Sequence, residues 1–221
     1  MGIDGSNLVG YYGSGDTQGF LYNGKDWTSI NGPWAQATWV NGIDGSNLVG
    51  TYQVAAQYGP PNPPESHGFL YNMTTQSLTP IDNPGAHGTW INGIDGSNLV
   101  GEYFTASGDG HGFLYDGADW TTLDMPGAYQ TGIRGISGNY LVGFYDSSAS
   151  GRHSFLYNTT TQIWTTIDKP GAVETDVWGI DGSNLVGQYY DNGSHGFIYT
   201  IPEPATLLLL GLGAMLLRKR T

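Results

Sequence analysis

The chain has 221 residues, with 36 Gly, 15 Tyr and 7 Trp, no Cys, and a formal net charge of −12. Three of its few basic residues, Arg218, Lys219 and Arg220, sit at the C-terminus, so the acidic body offers no basic footprint and nucleic acid is excluded as a partner. The lack of Cys excludes a disulfide framework and thiolate metal sites, and glycine without a three-residue period excludes collagen.

From the N-terminus, the phrase GIDGSNLVG occupies residues 2–10 and returns at 42–50, 93–101 and 179–187, with the variant GISGNYLVG at 135–143. Behind each copy comes a second phrase: QGFLYN from Gln18, HGFLYN from His67, HGFLYD from His111, HSFLYN from His153 and HGFIYT from His195. A third phrase, WTSI from Trp27, SLTPI from Ser77, WTTL from Trp120 and WTTI from Trp164, has no copy in the last unit. A variable stretch, as in ATWVNGI or TGIRGI, then leads into the next GIDG. These runs are short, β-branched and aromatic, which predicts strands rather than helices. Their Asp-Gly separators supply the positive φ of tight hairpin turns, with Asp and Asn expected to bond their own local backbone. Within Leu-Val-Gly-x-Tyr, apolar groups point to both sides of the strand, so each sheet is expected to be covered on both faces.

Four strands per unit, at a period of roughly 40 to 50 residues, predict an all-β, β-propeller-like repeat domain of about five blades with the last one incomplete. It covers residues 1–200, with units starting near 3, 43, 94, 136 and 180, and residues 1–5 are expected to add an edge strand to the last sheet. The alternative is an open stacked-β array or a fragment of a larger propeller. Unit two carries extra residues between Val54 and Glu65, rich in proline, which cannot donate to a ladder and therefore predicts a loop extension.

Composition changes after Thr200. Pro202, Glu203 and Pro204 break the chain, residues 205–217 are almost entirely apolar, and Arg218, Lys219 and Arg220 follow. The apolar run is shorter than the ~20 residues usual for a spanning helix. Its basic stop nevertheless predicts a C-terminal hydrophobic helix seated in a bacterial membrane, with its charges on the cytoplasmic side. A Pro-Glu-Pro element, an apolar run and a basic cluster in this order resemble the PEP-CTERM sorting signal of Gram-negative bacteria. The resemblance implies an exosortase-type processing enzyme as partner, with Pro202, Glu203 and Pro204 as its recognition residues. It also implies a membrane-anchored precursor at 201–221, followed by release or display at the cell surface. The words of residues 2–199 are similar to the bacterial extracellular HAF repeats, which implies a secreted β-repeat body. An exported precursor is expected to begin with a basic, apolar leader; this chain begins MGIDGSNLVG, inside a repeat.

Four histidines, His67, His111, His153 and His195, share one slot in the repeat. Two readings follow: a ring of imidazoles converging on a metal, or the favoured one, an imidazole bonding a nearby turn in each unit. The turn residues Asp4, Asp44, Asp95 and Asp181 could offer oxygen ligands to Ca²⁺, as could Asp109, yet turn geometry already accounts for Asp-Gly. There is no Gly-x-Ser-x-Gly elbow and no phosphate-binding motif. No catalytic residue, metal ligand or cofactor is assigned. The expected function is that of an exported surface or matrix repeat protein binding polysaccharide or protein; the alternative is a secreted hydrolase or lyase acting on polysaccharide. Phe20, Phe69, Phe113, Phe155 and Phe197, with Trp27, Trp120 and Trp164, are expected in the core between units. The aromatics of the variable stretches, Trp34, Trp39, Trp90, Tyr129 and Trp178, are the expected ligand-facing set.

Overall fold

A computed structural model of the chain describes residues 1–13, 16–55, 65–148 and 151–202. Unit 1 comprises β1 (Gly2–Asp4), β2 (Asn7–Tyr12), β3 (Gln18–Tyr22) and β4 (Trp27–Ile30), and unit 2 comprises β5 (Ala35–Asp44), β6 (Asn47–Val54), β7 (Glu65–Asn72) and β8 (Ser77–Pro80). Unit 3 holds β9 (Gly88–Asp95), β10 (Asn98–Phe104), β11 (Gly110–Tyr115) and β12 (Trp120–Thr122). Unit 4 holds β13 (Gln130–Ser137), β14 (Tyr140–Ser147), β15 (Gly151–Asn158) and β16 (Ile163–Thr166), and unit 5 only β17 (Glu174–Asp181), β18 (Asn184–Tyr190) and β19 (Ser194–Thr200). Each unit is an antiparallel meander, and a single parallel pairing, Ser66 with Gly88, joins units 2 and 3.

The Asp-Gly turn sets the phase of each unit. Asp44 pairs with Asn47 and Asp95 with Asn98 across two-residue loops whose first residue is a left-handed glycine, the requirement of a tight hairpin. The variable stretch therefore opens a sheet with the Leu-Val-Gly strand after it instead of closing the sheet before it. For the same reason β1 pairs with β2, and the expected donation of residues 1–5 to the last sheet does not occur. The Asp side chains also act differently from expectation. Asp4 Oδ2 accepts from Gly45 N at 2.8 Å and Asp44 Oδ2 from Gly96 N at 2.7 Å. Asp95 Oδ2 accepts from Gly138 N, and Ser137 Oγ fills the same role for Gly182 N. Each link joins one unit to the next.

Burial follows the same head-to-tail logic. The valine side of one unit packs on the leucine side of its successor: Val9 and Ile30 meet Leu48 and Phe69, Val49 meets Leu99 and Phe113, Val100 meets Leu141 and Phe155, and Val142 meets Leu185. Interior sheets are thereby covered on both faces, as the alternation of Leu and Val requires. The first strands of successive units approach closely, since a Cβ on Gly93 would lie 3.3 Å from Gly135 Cα.

No sheet closes on itself, and no strand of unit 5 pairs with one of unit 1 among the described residues. The expected β-propeller is thus corrected to an open array of five all-β units. Among the described residues unit 5 has no fourth strand, and the two end units are less covered than the inner ones: Leu8 is 41% exposed where Leu48 is 0%, and Val186 is 46% exposed where Val142 is 0%. The described residues include no helix, hence none long and apolar enough to cross a membrane. The C-terminal transmembrane helix, and the bacterial membrane as a partner and anchor, are corrected on that finding; residues 205–217 themselves lie outside the described residues, as do residues 56–64 of the unit-two loop.

A recurring polar contact pins each inter-unit turn. Lys169 N donates to Thr175 Oγ1 at 2.9 Å, Met125 N to Thr131 Oγ1 at 3.0 Å, Asn83 N to Thr89 Oγ1 at 3.0 Å and Gly32 N to Thr38 Oγ1 at 3.0 Å. The threonines are buried, so Thr131→Val leaves an amide unpaired. We expect it to cost about 1–2 kcal/mol by denaturant unfolding; an unchanged midpoint would show the amide has another acceptor.

Candidate binding cavity

Three slots of the repeat face a common space. The first lies one residue after the buried threonine and holds Trp39, Trp90, Gly132 and Asp176. The second, two residues further on, holds Asn41, Asn92, Arg134 and Trp178. The third follows Leu-Val-Gly and holds Tyr11, Thr51, Glu102, Phe144 and Gln188. Members of all three slots, from all five units, line a cavity of about 580 Å³, within the size range of small-molecule sites.

Its wall carries several aromatic rings. Trp39 and Trp90 stack with ring centroids 5.6 Å apart and planes at 25°; Trp178, Tyr11, Phe104 and Phe144 complete the aromatic lining. Charged groups stand among these rings. Glu102 is paired across the ladder with Trp90 and projects beside Gly132, where a Cβ would come within 2.9 Å of Glu102 Oε2 and 2.5 Å of Phe144 Cε1. Glycine at the position of Trp39 and Trp90 therefore makes room for both side chains. Arg134 stands where units 2 and 3 carry asparagine. Its guanidinium lies 4.1 Å above the Trp178 ring and 4.9 Å above Phe144, and Nη1 is 3.4 Å from Asp176 Oδ1. Arg152 donates through Nε and Nη2 to both Asp146 oxygens at 2.9 Å and also lies over the Phe144 ring at 4.2 Å.

Three buried atoms of this group have no hydrogen-bond partner: Glu102 Oε2, Arg134 Nη1 and Asp176 Oδ1. The Arg134–Asp176 contact is of ion-pair length without hydrogen-bond geometry. Burial raises the Glu102 carboxyl above its ordinary value, and the field of Arg134 with a hydrogen bond from Gln130 pulls partly against that shift. Burial likewise lowers the Arg134 guanidinium, opposed first by Asp176. The space thus offers stacking faces next to Glu102 and Arg134, whose hydrogen-bonding capacity is not filled, a costly arrangement unless something else meets those groups.

Of the expected ligand-facing aromatics, the structure brings Trp39, Trp90 and Trp178 into this cavity and leaves Trp34 and Tyr129 out of its lining. Trp34 is 93% exposed in a turn before β5, with a left-handed backbone where later units place Gly85, Gly127 and Gly171. Tyr129 is exposed in the equivalent stretch before β13. Trp27, expected in the core, is 67% exposed, with no unit packed on that face of unit 1 among the described residues. The residues that sequence reasoning missed are Glu102, Arg134 and Asp176. Their signal is a departure from the repeat: Glu102 replaces Tyr, Thr, Phe or Gln, and Arg134 breaks the Asn of units 2 and 3.

The histidines do not converge. His67, His111 and His153 place Nδ1 2.9, 2.8 and 2.7 Å from Asp82, Asp124 and Asp168, each within its own unit. The free oxygens of Asp82 and Asp124 accept from Gly68 N and Gly112 N. Each ring stacks on the tyrosine opposite, as His111 does on Tyr103 at 5.2 Å. The carboxylate follows the fourth strand; in unit 5, where the described residues include no such strand, His195 pairs with Asp191. Among the described residues no group of three or more His, Cys, Asp or Glu is placed to hold a metal ion.

Residues 200–220 match the PEP-CTERM protein-sorting motif. Pro202 is described; Glu203, Pro204, Arg218, Lys219 and Arg220, the other expected sorting residues, lie outside the described residues. No curated protein sequence matches the chain, and no match to the HAF repeats accompanies the sorting motif. Among solved structures, the SapL1 lectin in complex with alpha methyl fucoside is similar at 13% identity over 89% of this chain and 77% of that chain, with a TM-score of 0.49.

Proposed function

We propose that the chain is an exported carbohydrate-binding module whose site is the cavity lined by the tryptophans with Glu102 and Arg134. One observation carries the reading: Trp39, Trp90 and Trp178 converge on a space that is also lined by Glu102 and Arg134, each with a buried atom that has no hydrogen-bond partner. A sugar ring has apolar C–H faces suited to stacking on indoles, and hydroxyls that both donate and accept. Glu102 accepts from such hydroxyls, and Arg134, held by Asp176, donates to them. The sorting motif at residues 200–220 supports export, with an exosortase-type enzyme acting at the Pro202 element.

The test is a glycan array probed with the full chain, followed by titration of the best-bound saccharide. Trp90→Ala and Trp178→Ala are each expected to weaken binding by roughly tenfold or more, with the thermal midpoint recorded as a check on folding. An array without hits, or hits untouched by both substitutions in folded protein, defeats this reading.

A further inference from the structure

The charges around the cavity do not balance, and the imbalance falls on one side chain. Four carboxylates, those of Glu102, Asp146, Glu174 and Asp176, act on two guanidiniums, Arg134 and Arg152. Both guanidiniums are already matched. Arg152 gives two hydrogen bonds to Asp146, and Arg134 stands against Asp176 while lying over the Trp178 and Phe144 rings. Glu102 is left over. It forms no ion pair among the described residues, and its buried Oε2 has no hydrogen-bond partner. The two lysines of the described residues are elsewhere, Lys25 in the turn between β3 and β4 and Lys169 over the ring of Tyr189.

A buried carboxylate without a partner is costly, and burial, the largest influence on Glu102, raises its carboxyl accordingly. A guest can supply the missing cation. Glu102 lies across the ladder from Trp90, and both line the cavity together with Trp39. Among the described residues no cation of the chain lies over Trp39 or Trp90, whereas Arg134 lies over Trp178. An ammonium group brought here gains a charge-assisted hydrogen bond to the carboxylate and the attraction of the indole rings. A sugar carboxylate would instead meet an excess of negative charge, with both guanidiniums neutralised by aspartates. A neutral sugar leaves the charge of Glu102 unanswered. We propose that the saccharide taken by this cavity carries a protonated amino group, as an unacetylated hexosamine does, with the ammonium on Glu102 Oε2 and the sugar ring against Trp90. The inference rests on the carbohydrate reading above and adds the class of sugar.

Matched glycans test it. Free-amine, N-acetyl and hydroxyl forms of the same gluco- and galacto-configured oligosaccharides are titrated into the full chain at about pH 6.5, where an amine is protonated and an ordinary carboxyl ionised. The free-amine member of the best-bound set is expected to bind roughly tenfold or more tightly than its N-acetyl and hydroxyl partners. Glu102→Gln keeps the shape of the side chain and removes its charge. It should bring the three forms to within about threefold of one another, with the thermal midpoint as a check on folding. The preference of the unsubstituted chain stands as a test by itself if that variant does not fold. Equal binding of the three forms overturns the inference and leaves the carbohydrate reading in place. So does tighter binding of the acetylated or hydroxyl form, or an amine preference that survives Glu102→Gln in folded protein. Binding of no glycan at all removes both.

Discussion

Gly101→Ala is expected to remove roughly 3 kcal/mol or more of stability, a large share of the total for a domain whose margin is about 5–15 kcal/mol. Gly101 follows the valine of the Leu-Val-Gly phrase on β10, where the pairing with β9 slips by one residue between Val100 and Gly101. At that bulge the ladder folds inward, and a Cβ would stand 1.9 Å from the carbonyl oxygen of Trp90 and 3.0 Å from a ring carbon of Phe113. The first obstacle is backbone and the second a fully buried ring, so neither can turn aside. The same collision awaits a Cβ at Gly50, Gly143 and Gly187, which makes it a property of the unit and not of one site. Gly96→Ala is the informative comparison: it is left-handed with open space around it, so its cost is only the conformational ~1–2 kcal/mol. Urea unfolding of the two variants should separate by at least the difference. Equal losses would mean that the strands can shift enough to admit a methyl group.

Arg134→Met is expected to cost about 3–5 kcal/mol near neutral pH, because Glu102 and Asp176 then lie buried without their cation. The loss should shrink in acid, and the sign follows from linkage. A carboxyl held above its ordinary value in the folded state binds a proton more tightly there than in the unfolded chain. Stability therefore falls as pH rises from the unfolded value through the folded one. Glu102 is already raised by burial, with Arg134 opposing the shift; without Arg134 the rise is larger and the window wider. The variant's deficit is then least below the ordinary carboxylate range and complete once Glu102 ionises. Unfolding midpoints at about pH 4 and about pH 7.5 read this out directly, and adding Glu102→Gln should return part of the neutral-pH loss. A deficit independent of pH would assign the effect to the packing of Arg134 over Trp178 and Phe144.

The strands were legible in the sequence because each is written four or five times with β-branched or aromatic residues between left-handed glycines. What the words could not convey was which neighbour a strand joins. The variable stretch reads as the end of one unit, and only the two-residue turn at Asp44 and Asn47 reveals that it begins another. Ring closure was illegible for a related reason. Whether five units meet depends on the rotation accumulated between sheets, which no single residue encodes. Trp39, Trp90 and Trp178 could be picked out as variable-stretch aromatics, but Trp34 and Tyr129 come from the same stretches, and their direction is decided by a turn at Pro33 or Pro126. The charged part of the cavity lining was hidden by repetition itself. Attention goes to what recurs, whereas Glu102, Gly132 and Arg134 matter as exceptions to their slots.

Among the described residues each unit packs on its immediate neighbours, so units 1 and 5 have one such partner each while units 2, 3 and 4 have two, and loosening is expected first in units 1 and 5. The cavity draws part of its wall from these least-supported places, Tyr11 in unit 1 and Trp178 in unit 5. A guest that touches both spans the opening and ties the loose ends together. Occupancy of one small space then stiffens the molecule along its whole length, and the grip on the guest depends on regions far from each other in the chain.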